Sequence, residues 1–361
     1  LSLNVNSALL TDLYQLTMVQ AYVEHGLDRQ ASFEFFVRDL PPNRGFLLAA
    51  GLQQVVEFLE GFRFTDAELR WLRDEHGAKG SFVDYLAELR FEGEVAAMPE
   101  GTVFFPDEPI LRVTAPIAQA QIVETRIINL LQFQTLIASK AARCSLAAPG
   151  KLLVDFGLRR THGAEAGLLA ARAGFLAGFA GTSTVLAGQA FAIPIYGTMA
   201  HSFIQAHRSE AQAYLNFSRS HPDNTILLID TYDTEDGARK ATEVASQLRE
   251  EGIAIKGVRI DSGDLAEHAR AVREILDRAG MTETTIFASG DLDETALAQL
   301  ERERAPIDGF GVGTKLDTSA DAPYLNCAYK LVEYEGEPRR KRSEGKQTWP
   351  GRKQVLRRTG E

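Results

Sequence analysis

Cysteine is scarce in this chain. Cys144 and Cys327 are the only two, far apart and without CxxC spacing, so neither a disulfide framework nor a zinc knuckle is encoded, and any metal must come with a substrate. Long hydrophobic runs are missing as well: no apolar stretch approaches the roughly 20 residues needed to cross a bilayer. The opening LSLNVNSALLTDLYQLT has no basic region followed by an apolar one, so it does not read as a secretory signal, and a cytoplasmic protein is expected. Internal repeats and low-complexity linkers are also absent.

What is present is ordinary globular composition, with 45% hydrophobic and 24% charged residues. At 361 residues, and roughly 100–200 residues per domain, about two domains are expected. The net charge of −10 hides an asymmetry: the stretch from Pro338 to Glu361 carries +7 and the preceding chain −17. Such a tail reads as a nucleic-acid arm, a solvated face or one wall of a phosphate site. The first fits poorly, because the acidic body repels a polyanion and no helix-turn-helix or aromatic-studded RNA motif accompanies it.

Residues 1–125 mix an amphipathic helix (TDLYQLTMVQAYVEHG) with short strands (ASFEFFVRDL, EGEVAAMPEGTVFFPDEPILRVTAP), an α+β pattern. From about residue 150, short apolar runs alternate with segments of helical period, as in βα units. Strands are predicted at 152–155, 175–179, 191–195, 226–230, 255–261, 285–289 and 308–312. The clearest helices are predicted at 201–219, 235–251 and 264–279, the last capped by Ser262 or Asp264 and stopped by Gly280. This fits an α/β barrel, with a doubly wound open sheet as the alternative. Small or ionisable residues fall at nearly every strand end: Asp155, Thr182, Ser183, Thr198, His201, Asp230, Asp261, Ser289 and Asp291, then Gly311, Gly313 and Thr314. In parallel α/β folds chemistry collects on that rim, although caps and turns favour the same residue types.

Three rim motifs admit chemical readings. Gly290 and the glycines of GFGVGT (309–314) sit where late barrel strands often seat a phosphate, or they mark bends. Arg259 and Asp261, two apart on one strand, leave on the same face; they form either a buried ion pair or a clamp for an anionic group beside ribose hydroxyls. Phe156, just before two arginines in VDFGLRRTHG, is either core or a stacking surface for a flat aromatic acid whose carboxylate Arg159 binds.

The stretches LLTDLYQLTM (9–18), FEFFVRDLP (33–41), DFGLRR (155–160), GTSTVLAG (181–188), GTMAHSFI (197–204), RIDSGDL (259–265), SGDLDE (289–294), GFGVGT (309–314) and SEGKQTWPGRKQV (343–355) run in one order over nearly the whole chain. Together they resemble the nicotinate phosphoribosyltransferase family. The resemblance implies an irregular α/β barrel of the type II phosphoribosyltransferase kind over 126–324, and an N-terminal α+β domain over 1–125 that strands of 325–361 rejoin. It implies a homodimer with active sites shared between subunits, and the joining of nicotinate to phosphoribosyl pyrophosphate with magnesium present and ATP hydrolysed, in NAD salvage.

Residue roles follow from the same resemblance. His201 is the histidine that ATP phosphorylates, at a helix start where an imidazole can act as nucleophile. Phe156 and Tyr14 of the partner subunit sandwich the pyridine. Arg259, with Arg159, holds the carboxylate or a phosphate, and Asp261 binds ribose hydroxyls. Thr198 joins the substrate site, Gly290, Gly311 and Gly313 cradle the ribose phosphate, and Arg38, Arg342 and Lys346 bind pyrophosphate or ATP. No residue is assigned as a metal ligand. Ser183 stands where nicotinamide-using relatives carry an aspartate, and a hydroxyl can donate to an acid that a carboxylate would repel. The competing expectations are a nicotinamide or quinolinate phosphoribosyltransferase, or a non-catalytic phosphate-binding barrel.

Overall fold

The structure, a computed structural model, describes residues 5–358. Residues 1–4 and 359–361, which belong to the expected N-terminal domain, lie outside the described residues. The chain forms two compact units, one of residues up to Leu136 together with Tyr324 onward, the other Ile137–Pro323. The division falls inside the helix Glu124–Ala147 instead of at residue 125.

The first unit is built on an antiparallel sheet in the order Glu337–Pro338, Cys327–Tyr334, Gln30–Val37, Leu111–Pro116, Glu94–Ala97. Only Gln30 of the strand QASFEFFV is exposed, as befits a strand covered on both faces. The C-terminal strand returns to it in register from Ala31 against Tyr334 to Val37 against Cys327, and the Phe33 and Tyr329 rings stack 5.0 Å apart. Glu34, fully buried in the same strand, takes both the ammonium of Lys353 at 2.7 Å and its backbone N–H at 2.9 Å. Arg352 likewise pairs with Glu333 and Arg357 with Glu108. Part of the basic tail is therefore ion-paired to its own sheet.

In the second unit six parallel strands lie in the order Gly181–Thr182, Leu152–Asp155, Gly309–Val312, Thr285–Ser289, Gly257–Ile260, Ile226–Leu228. Followed around the ring this is chain order, and the last strand pairs with the first, Gly311 opposite Val154. A doubly wound sheet has no such closing pair, so the arrangement is a barrel. Ile195 adds a single parallel bridge to Thr182, and across the remaining seam Asn224 Nδ2 donates to the Gly197 carbonyl at 3.2 Å. The barrel is thus irregular. Its helices bury one stripe each: Leu265–Arg278 turns Ala266, Ala269, Val272 and Leu276 inward. Asp233, Asp264 and Asp293 cap the helices that follow them, each through one carboxylate oxygen.

Two predicted strands are corrected. Residues 175–179 are the last turn of the helix Ala164–Leu176 and the bend at Gly178, and the strand begins only at Gly181. A short apolar run has no period that separates strand from helix end. Residues 191–195 yield only the Ile195 bridge, because Phe191 ends a helix, Ala192 has φ of 55° and Pro194 has no N–H to give a ladder. The helix predicted over 201–219 is two, His201–Gln205 and Glu210–Ser220; the second starts afresh where Ser209 accepts the Gln212 N–H. Among the described residues no helix is long and apolar enough to cross a membrane.

Lys140, only 2% exposed, lies 2.6 Å from Glu294 and 2.8 Å from Asp321. Lys140→Ala removes the buried cation that lies between Glu294 and Asp321, Glu294 keeping Arg143 at 3.0 Å, and is expected to destabilise the protein by about 3 kcal/mol, read as a lowered urea midpoint.

Candidate active site

Arg259 is the centre of the rim. Its strand partner on one side is Leu228 and on the other Phe287, so its side chain leaves between two strand ends into the barrel mouth. Nε donates to Ser289 Oγ at 2.9 Å, Nη1 to Thr198 Oγ1 at 3.0 Å and the Met199 carbonyl at 3.3 Å, and Nη2 to Asp261 Oδ1 at 2.8 Å. The guanidinium carbon stands 5.5 Å from the centroid of the Phe156 ring, within cation–π range. Phe156 in turn lies 5.7 Å from Phe287. It fits because Gly311 has no side chain: a Cβ there would sit 2.5 Å from the Phe156 ring.

Asp261 is the second node. Oδ1 accepts from both Arg259 and Ser289, Oδ2 lies 3.8 Å from His201 Nε2, and its N–H donates to Asp230 Oδ2 at 2.8 Å. Burial pushes its carboxyl up, but the Ser289 hydroxyl, the hydrogen bond and charge of Arg259 and the nearby His201 outweigh it, and the group sits below the ordinary aspartate range. Asp230 also accepts the Ser262 hydroxyl at 2.6 Å, and its Oδ1 is buried without a hydrogen-bond partner. His201 opens its short helix, with Nδ1 3.2 Å from Thr231 Oγ1 and a side chain 40% exposed. When Thr231 accepts from Nδ1–H, the Nε2 lone pair faces the open rim.

Phe156, Thr198, His201, Arg259 and Asp261 are thus brought together. Gly290 adjoins them: it is exposed with φ of 103°, and a Cβ on it would meet the Asp261 carbonyl at 2.2 Å. Gly311 is buried in its strand, and its missing side chain makes room for the Phe156 ring. Gly313 is half-buried, with the Phe156 carbonyl 2.9 Å from where its Cβ would be. Ser183 donates its N–H to the Asp155 carbonyl at 2.8 Å, one strand over, while Arg159 is exposed on the single turn Leu158–Arg160. Tyr14, 49% exposed, and Arg38, Arg342 and Lys346 belong to the first unit, where Arg38 donates to Asn326 Oδ1 and Arg342 and Lys346 are exposed.

Sequence reading put Ser289 and Asp230 on the rim without a role. The signal that gives Ser289 one is register: Ala288 pairs with Ile260, so the next residues, Ser289 and Asp261, are neighbours. Lys315, near Asp291 at 3.2 Å and Asp293 at 3.4 Å, is a rim cation that sequence reading missed, two residues past Gly313. Among the described residues no group of three or more His, Cys, Asp or Glu gathers to hold a metal ion. Ser289→Ala removes one of the groups holding Asp261 ionised and is expected to move its titration upward, measured by carboxyl-carbon NMR; an unchanged or lower midpoint contradicts the assigned contact.

Comparison with known proteins agrees with this geometry. Residues 9–132 match the nicotinate phosphoribosyltransferase N-terminal domain model and residues 152–350 the nicotinate phosphoribosyltransferase family model. A Mycobacterium tuberculosis nicotinate phosphoribosyltransferase, pncB2, is 51% identical over 350 residues, covering 97% of this chain and 75% of that protein. The Bacillus subtilis nicotinate phosphoribosyltransferase is 42% identical over 355 residues, covering 96% of this chain and 72% of its own length. The crystal structure of human nicotinic acid phosphoribosyltransferase superposes with a TM-score of 0.83 at 32% identity, covering 91% of this chain and 75% of that one. With both family models spanning most of its length and the barrel rim assembled as described, this chain belongs to the nicotinate phosphoribosyltransferase family.

Proposed function

We infer that this protein transfers the phosphoribosyl group of phosphoribosyl pyrophosphate to nicotinate, releasing nicotinate mononucleotide and pyrophosphate, in NAD salvage. The observation that carries the reading is the linkage of Phe156, Thr198, Arg259, Asp261 and His201 on one barrel rim, inside the segment that the family model matches. The pyridine nitrogen has a lone pair and needs no base to free it. Its attack on the anomeric carbon, as the bond to pyrophosphate breaks, passes through an oxocarbenium-like state, so the protein's work is placement of charge and ring.

Phe156 offers one stacking face for the pyridine, and Tyr14 of the partner subunit the other. Arg259 is held rigid by four hydrogen bonds and presents fixed positive charge toward the carboxylate or a phosphate, with Arg159 beside it. Asp261, kept ionised, receives ribose hydroxyls and stabilises positive charge on the ring. Gly290, Gly313 and Lys315 line the side where the ribose phosphate sits; Arg38, Arg342 and Lys346 are the cations for pyrophosphate or ATP. The exposed Val185, Leu186 and Ile195 favour a homodimer, since apolar side chains 55–70% exposed beside a site are the kind of surface a second copy covers.

Magnesium, brought in with phosphoribosyl pyrophosphate or ATP, would supply positive charge against the pyrophosphate oxygens. The residues fit such an ion: Asp230 Oδ1 is a buried carboxylate oxygen without a partner, beside Asp261. ATP assists through His201. Its Nε2 attacks the γ-phosphorus, the bond to ADP breaks, and the phosphorylated imidazole is later hydrolysed to inorganic phosphate.

Purified protein offered nicotinate, nicotinamide and quinolinate separately with phosphoribosyl pyrophosphate, with and without ATP, tests the substrate. Nicotinate is expected to give mononucleotide; product from another base alone, or from none, overturns the reading. His201→Ala is expected to abolish the stimulation by ATP while basal turnover persists, and equal stimulation in mutant and wild type removes the phosphohistidine. Ser183→Asp is expected to lower kcat/KM for nicotinate at least about tenfold by like-charge repulsion, with no such loss for nicotinamide.

A further inference from the structure

Behind the rim lies a pair of carboxyls that the transfer chemistry does not use. Asp155 ends the first barrel strand and Asp317 ends the short helix Thr314–Asp317; both side chains are fully buried. Their surroundings differ sharply. Asp155 Oδ1 accepts the Gly157 N–H at 2.8 Å and Oδ2 accepts the Thr182 hydroxyl at 2.6 Å, and that hydroxyl oxygen accepts the Thr184 N–H at 2.9 Å. Neither oxygen of Asp317 receives a donor. The neighbouring chain makes room for it, because a Cβ on Gly157 would fall 2.2 Å from the Asp317 carboxyl.

The two carboxyls meet around Gly157, and a pair of neighbouring carboxylates in a buried setting is not ionised twice. The one supplied with donors keeps the charge, and the one without them keeps a proton that it can donate. We propose that Asp317 is a positioning residue: its carboxyl proton, donated to Asp155, locks the turn Phe156–Arg160 and the loop through Ser183 into the arrangement that receives the base. Asp155 then ties together the base turn through Gly157, the Ser183 loop through Thr182 and Thr184, and the helix after Gly313 through Asp317. Three loops of the rim are fixed to one buried carboxylate. This rests on the reading of Phe156 as the stacking surface.

Burial raises both carboxyls, and the adjacent Asp155 raises Asp317 further. The charged residues on elements packed against Asp317 are Lys315 on its own helix, Arg159 and Arg160 on the one-turn helix, and Glu165 and Arg172 on the helix Ala164–Leu176. The charge that bears on Asp317 is that of Asp155.

The proposal predicts an asymmetry between two superficially equal acids. Asp317→Ala is expected to raise KM for nicotinate about tenfold with KM for phosphoribosyl pyrophosphate within about twofold, and Asp317→Asn, whose amide can donate in the proton's place, to restore the nicotinate value to within about twofold of wild type. Asp155→Asn turns an amide toward the donors of Gly157 and Thr182 and is expected to be at least as impaired as Asp317→Ala. An Asp317→Asn variant as impaired as Asp317→Ala, or an Asp155→Asn variant as active as Asp317→Asn, overturns the proposal.

Stability decides the matter if Asp155→Asn does not fold. A group whose folded-state titration is raised gives its full stabilisation below the ordinary aspartate value and loses it as pH climbs toward the raised one. The urea midpoint of wild type is therefore expected to fall relative to that of Asp317→Asn as pH rises above the ordinary aspartate range; a constant difference overturns the shared proton. Phe156→Ala tests the stacking surface separately. If KM for nicotinate does not move in that variant, the role given to the base turn is overturned, whatever the stability of the pair.

Discussion

A single guanidinium organises the catalytic end of the barrel. Arg259 is joined to the loop after Ile195 through Thr198 and Met199, to the next strand through Ser289, and to its own strand end through Asp261, while its flat face looks toward Phe156. Apart from Asp261, two residues on, these groups come from stretches of chain far from Arg259 in sequence. A lysine, with a point charge and no planar fork, could not meet the same partners in the same geometry. Because the bonds that shape Arg259 also hold Asp261 ionised, the placement of the cation and the charge state of the anion are one interaction viewed from two ends.

That interaction depends on the barrel being closed. The strand Gly309–Val312 must lie against Leu152–Asp155 for Gly311 to back the Phe156 ring, and the ring must be there for Arg259 to face it. The weak side of the ring is the seam between Ile195 and the strand Ile226–Leu228, carried in part by the hydrogen bond of Asn224 to Gly197. His201 and Thr198 belong to the segment beside this seam. The part of the rim assigned to the phosphoryl step is thus also where the barrel has the least regular backbone pairing.

Much of this was legible in the chain. Arg259 and Asp261 share a face because strand side chains repeat every two residues, and the rim positions of Asp155, Asp230 and Ser289 follow from where apolar runs stop. Other features were not legible, for physical reasons. The apolar residues of 175–179 and 191–195 satisfy strand and helix patterns equally, and only Gly178, Ala192 and Pro194 decide between them in three dimensions. Ser289 gains its place from the register of two strands, which a single chain does not reveal. A glycine at a strand end suits a phosphate, a bend or a neighbouring ring alike, and only the fold shows that Gly311 backs Phe156. Asp317 is invisible in sequence as anything but a helix end.

The strand Gln30–Val37 takes one neighbour from residues 111–116 and the other from residues 327–334. During synthesis the whole barrel emerges from the ribosome between those two events. The first unit therefore waits with an apolar strand edge uncovered while about two hundred residues are translated, and it can be completed only when the far end of the chain arrives. A protein assembled in this order is favoured when its barrel folds as an inserted body first, because that brings residues 327–334 back to the open edge.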